Sequence, residues 1–136
     1  MEEKTIVNEI SSRDRNVGVM ADQIVQSLKN EDFFVAFCGL FTLAENSLII
    51  NYKEKKTFEV LIKEAFESSL IDEREKIILD NLRLFRKLTI HSDPDQTIYI
   101  QGGLVYPFNE NSTYEFLMKR FSIDVLNIIK KIILSD

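Results

Sequence analysis

Phe33-Phe34-Val35-Ala36-Phe37-Cys38-Gly39-Leu40-Phe41-Thr42-Leu43-Ala44-Glu45-Asn46-Ser47-Leu48-Ile49-Ile50-Asn51-Tyr52 decides how this chain folds. Phe33, Phe34, Phe37, Leu40, Phe41, Ala44, Leu48 and Ile49 cover more than one face of a helix, which is the pattern of a central element in a bundle. Asp32 stands where a helix cap belongs. The uncharged part runs only from Phe33 to Ala44 before Glu45 closes it. That is too short to span a bilayer and suits a buried helix, so no membrane association is expected.

Upstream, Val17, Met20, Ala21, Ile24, Val25 and Leu28 recur at helical spacing from Asp14 on, and Lys29-Asn30 ends that helix. Residues 1–13 are mixed, and the reading is open between frayed and helical. Downstream, Lys53-Glu54-Lys55-Lys56 reads as a solvated loop. Thr57 caps a third helix with Leu61, Ile62, Ala65 and Phe66 inward. Ile71-Asp72 opens a fourth, with Asp72 and Glu75 at capping-box spacing and Ile78, Leu82, Phe85 and Thr89 as its inward stripe. It ends near His91, because Ser92-Asp93-Pro94-Asp95 is a turn and Pro94 disfavours helix before it. Two β-favouring runs, Thr97 to Gln101 and Leu104 to Phe108, flank Gly102-Gly103 and read as a tight hairpin. Ser112 and Glu115 make another capping box. Leu117, Phe121, Val125, Ile128 and Ile132 then carry a last helix almost to the C-terminus. The expected fold is all-α, one domain over residues 1–136: an up-and-down bundle of four to five helices with one small hairpin. Phe37, Phe41, Ile62, Phe66, Leu82, Phe85, Phe121 and Val125 are expected to meet in its core.

Composition narrows the chemistry. The chain has 136 residues and a net charge of −5, which argues against a generally basic, nucleic-acid-coating protein but not against a small basic site. One cysteine excludes an internal disulfide and suits a reducing compartment, and the N-terminal Met-Glu-Glu-Lys does not read as a signal peptide. The localisation expected is cytoplasmic. One histidine and one cysteine make a zinc site of the usual type untenable. His91, Asp93 and Asp95 are adjacent turn residues and supply too few ligands for a closed site. No metal or other cofactor is expected. No phosphate loop, nucleophile elbow or His-Glu-x-x-His is present. Cys38, mid-helix among phenylalanines, reads as core packing.

What remains is His91, the side chain best suited to proton transfer near neutral pH, five residues after Arg86. A helix ending in Arg-Lys-…-His is also explained by the helix dipole alone. Glu45 is the only charge between Phe33 and Tyr52. It lies either on a solvent strip with Asn46 and Asn51 or opposite a cation on the fourth helix, with Arg86 the best candidate. Arg83 and Lys87, four apart, add positive charge beside Arg86; each alone also reads as a solvated helix face.

The Arg86-to-His91 segment, with four residues between, resembles the motif of the HEPN superfamily, small helical bundles of defence, abortive-infection and toxin–antitoxin systems. Phe33 to Asn51 with Glu45, and the short helix Phe58 to Leu70 leading into Ile71-Asp72, look like the family's surrounding helices. The similarity covers roughly residues 15–135, and only the Arg-to-His segment is specific. It implies metal-independent endoribonuclease chemistry or RNA binding. His91 would take the proton of a ribose 2′-hydroxyl, and Arg86 would grip the phosphate and stabilise its transition state. Glu45 would be in support, and Arg83 and Lys87 would serve as RNA contacts. It also implies a homodimer, since one His cannot easily act as both base and acid at one bond, and an antitoxin or other protein partner. Two positions depart from the family pattern. Lys87 follows Arg86 where many members have a small polar residue, and Asp93 stands where one subgroup has Tyr. Both bear on activity rather than fold. The same stretch is similar to mannitol-repressor-type helical proteins, which makes a non-catalytic interaction or regulatory module the alternative.

Overall fold

The computed structural model describes the backbone of residues 2–91, 97–101, 104–107 and 111–135, and side chains up to residue 87 and from residue 111 on. Helices α1 (Glu2–Arg13), α2 (Arg15–Lys29), α3 (Phe33–Tyr52), α4 (Phe58–Glu67), α5 (Glu73–His91) and α6 (Asn111–Leu134) make an all-α fold. Strands β1 (Thr97–Gln101) and β2 (Leu104–Pro107) pair antiparallel. Gly102-Gly103 and the expected Ser92-to-Asp95 turn lie outside the described residues.

Among the described residues there are six helices rather than four or five. The added one is α1, whose buried residues are only Ile6, Val7 and Ile10, too few apolar positions to show a clear period in the sequence. A single residue, Asp14, joins it to α2. Asp14 is extended (φ −141°, ψ 105°), and its carboxylate accepts from the Val17 N–H at 3.1 Å, so one residue both breaks one helix and caps the next. The corner brings the helices together at Gly18. A Cβ built there would stand 2.0 Å from Ser11 Oγ and 2.7 Å from Ser11 Cα, so the close approach requires glycine.

Consecutive helices pack on one another, and α6 closes back on both α3 and α1. Helix α3 is central, touching α2, α4, α5 and α6. Leu40, Leu43, Ala44 and Leu48 on α3 are fully buried, as are Val125, Leu126 and Ile129 on α6. By length and composition alone α3 also matches a membrane span, with a mean hydropathy of 1.8 over its apolar window; half of that window is buried in the bundle. Asp32 occupies the N-cap of α3 without a side-chain hydrogen bond. Thr57 does cap α4, accepting from the Val60 N–H at 3.3 Å. The left-handed Lys53 (φ 57°) ends α3 and starts the exposed loop. Helix α6 begins at Asn111, so Ser112 lies inside it.

Of the expected core, Phe37, Phe41, Ile62, Leu82, Phe85 and Val125 are buried, and Phe121 packs partly buried against them. Phe66 is the correction, at 39% exposure. Helix α4 buries Phe58, Leu61, Ile62 and Ala65, a complete i, i+3, i+4, i+7 face, and the next residue turns away from it. The Phe66 ring instead meets the Lys76 ammonium at 5.9 Å. Met20, also expected inward, is 40% exposed. Leu79, beside the expected α5 stripe, is fully buried.

Candidate functional site

Helix α5 carries the candidate residues, and its two halves are built differently. At the N-terminal end the capping box is complete. The Glu75 N–H donates to Asp72 Oδ1 at 2.8 Å, and the Asp72 N–H donates back to Glu75 Oε1 at 2.9 Å. The same Glu75 oxygen accepts from Lys131 Nζ at 2.7 Å, which ties the start of α5 to the end of α6. Arg74 reaches Asp124 at 3.4 Å, and Lys76 pairs with Asp80 at 2.8 Å.

After Asp80 no carboxylate follows on α5, while Arg83, Arg86, Lys87 and His91 do. Arg83 is turned toward acidic neighbours, with Asp80 at 3.8 Å and Glu59 of α4 at 4.0 Å. Both distances are long, and the buried Arg83 Nε has no hydrogen-bond partner. Arg83 therefore spends its charge within the fold. Lys87 is exposed.

Arg86 is half-buried at the contact of α5 with α3. Of the two placements open for Glu45, a direct ion pair with Arg86 is not seen: neither side chain makes a hydrogen bond or ion pair among the described residues. The Arg86 guanidinium carbon instead lies 4.1 Å from the centroid of the Phe41 ring, one helical turn before Glu45. A ring face attracts a guanidinium through its quadrupole, which is favourable for a half-buried cation. Phe41 is the residue that sequence reasoning missed. The signal was available, since it sits four before Glu45 on the same α3 face. Glu45 and Asn46 are half-buried at the surface of α3, and Asn51 instead donates to the Ile132 carbonyl at 3.2 Å.

Cys38 lies one turn further back on α3. It is half-buried rather than enclosed. Burial pushes its thiol above the ordinary range, and the Arg86 charge draws it partly back. The backbone of α5 is α-helical through His91, whose side chain lies outside the described residues. Five residues of ideal helix turn through 500°, leaving Arg86 and His91 about 140° apart around the axis.

An apolar cleft between α3, α5 and α6 is lined by Phe37, Leu82, Phe85, Met118 and Phe121, with Asn81 at its edge; it offers no ionisable group. A shallower groove between α2 and α3 is lined by Val19, Met20, Ile24, Val35 and Gly39. Comparison of the chain with protein-family models, with curated proteins and with solved structures gives no match.

Proposed function

We propose that this chain is a HEPN-like RNA-binding or RNA-cleaving protein that works as a homodimer, with Arg86 and His91 as its reacting pair. The observation that carries the reading is Arg86 itself: a half-buried guanidinium with no acidic partner among the described residues, on a helix end that bears cations only. A cation left unanswered inside a fold is costly unless something anionic visits it. In this reading the visitor is a phosphodiester. His91 is the general base for the 2′-hydroxyl, and Arg86 stabilises charge on the five-coordinate transition state. In this reading the Arg86 of one protomer works with the His91 of the other, and the two α5 ends face each other in the dimer. Lys87 is the accessory RNA contact, and Arg83 a weaker one because of its acidic neighbours. Glu45 supports by charge at longer range. No metal or other cofactor enters the reaction. The setting is a cytoplasmic defence or toxin–antitoxin system with a protein partner.

Incubation with single-stranded RNA in EDTA tests this. The expected products end in a 2′,3′-cyclic phosphate or its hydrolysis product, and an oligonucleotide lacking the 2′-hydroxyl at the cut position resists. Cleavage that persists in His91→Ala, with contaminating nuclease excluded, refutes the mechanism.

The exposed apolar groove of Val19, Met20 and Val35 favours a second reading, a non-catalytic interaction or regulatory module. A dimer that binds a protein and leaves RNA intact selects that one.

A further inference from the structure

The contact between Arg86 and Phe41 has two properties that an ion pair lacks. First, the ring is packed on its far side. Phe41 is buried, and the Phe58 ring of α4 meets it edge-on at 4.9 Å and 83°, so the face beneath the guanidinium is set by a second aromatic residue on another helix. Second, a ring face attracts the cation through its quadrupole and uses none of the five guanidinium N–H donors. A carboxylate at the same place would take two of them and neutralise the charge. Glu45 is only one turn away on α3, yet the guanidinium lies over the ring and makes no hydrogen bond among the described residues. The result is an arginine held over a ring face whose donors no described residue takes. The influence of its charge on the Cys38 thiol, one turn to the other side of Phe41, fits the same location over α3.

We propose that Phe41, braced by Phe58, is the positioning residue for Arg86: it holds the guanidinium by its face and keeps the N–H edge for a phosphodiester of single-stranded RNA. The ligand half of this proposal rests on the RNA reading above; the positioning half rests on the geometry alone. A planar fork already oriented loses little freedom when it closes bidentately on two phosphate oxygens, which is what a positioning residue contributes to binding and to the transition state.

The test is a ¹H–¹⁵N NMR spectrum of the arginine Nε–Hε groups in the full chain, with the Arg86 signal assigned by Arg86→Lys. A guanidinium over a ring face feels its ring current, so the Arg86 Hε is expected upfield of the other arginines and back among them in Phe41→Leu. In parallel, anisotropy of a fluorescein-labelled single-stranded RNA of mixed sequence, in EDTA, is expected to show about tenfold weaker binding for Phe41→Leu, the scale of one such contact. Arg86→Ala should lose that binding. Should Phe41→Leu not fold, the wild-type resonance decides, and Phe58→Leu, which keeps the ring but loosens its brace, should shift Arg86 Hε part of the way back. An unshifted Arg86 Hε in the wild type overturns the proposal. So does a folded Phe41→Leu that binds the RNA as the wild type does while Arg86→Ala does not. A shifted resonance in a chain that neither binds nor cuts RNA overturns the RNA reading and the ligand half with it, and upholds the hold of Phe41 on Arg86.

Discussion

The two halves of α5 share one helix and follow opposite rules. From Asp72 to Asp80 every basic side chain has a carboxylate: Arg74 has Asp124, Lys76 has Asp80, and Glu75 is tied to both Asp72 and Lys131. From Arg83 onward the cations have long contacts, a ring face or solvent. The first half is arranged to hold the bundle together. The second holds one half-buried cation, Arg86, with no carboxylate partner among the described residues. Under the RNA reading proposed above, substitutions in the first half are to be read in melting curves and those in the second half in assays of RNA.

The sharpest break of that comparison is at the functional end. Arg86→Ala and His91→Ala are expected to lower RNA cleavage by about 10²–10⁴-fold, the scale of a lost general base or charge stabiliser, with little change in melting temperature. Initial rates beside thermal melts check this. A large fall in stability for Arg86→Ala would make its second-half residue structural and remove the contrast.

The next effect lies in the first half. Leu79 is fully buried on α5, and Leu79→Ala is expected to cost about 2–5 kcal/mol by denaturant titration, while RNA affinity per folded molecule stays unchanged. Asp72→Ala removes one side of the capping box and should cost about 1 kcal/mol. Lys131→Ala removes a pair whose lysine is about half exposed and should cost under about 1 kcal/mol. The order of these three is itself a check, because it ranks packing above capping above charge in the half assigned to stability.

The smallest effect links the halves to α3. The Cys38 thiol is raised by burial and held back by Arg86, so at a fixed pH near 8 its thiolate fraction should fall when Arg86 is removed. Alkylation of Cys38 by iodoacetamide is therefore expected to slow in Arg86→Ala. Unchanged alkylation would mean that the guanidinium charge does not act over this turn of α3.

Most of the bundle was legible because burial writes itself as period. The spans of α2 and α3 follow from their apolar spacing, and the starts of α4 and α5 from Thr57 and Asp72, since a cap is a local event. Helix α1 was less so, because three buried residues make no pattern until Asp14 breaks the chain and folds it back. Phe66 misled for a related reason: a ten-residue helix with a complete four-residue face has no room for a fifth, and an aromatic at its edge reads as core. Sequence placed Arg86 opposite α3, where the structure has it, but not the α3 side chain that it meets. Opposite charges are visible in a sequence; which ring face a guanidinium lies over is a property of the packed interface, and here it is the ring of Phe41.

The closing of α6 onto α3 and α1 also sets a schedule for the ribosome. Helix α3, the most apolar of the chain, is made well before the helix that covers it, and so are Ile6, Val7 and Ile10 of α1. Until α4, α5 and the strand pair have been translated and α6 has left the exit tunnel, that face of α3 is without its cover. The order of synthesis therefore leaves an apolar face of α3 waiting for α6, and the native packing of α3 is completed only once α6 is free to fold onto it.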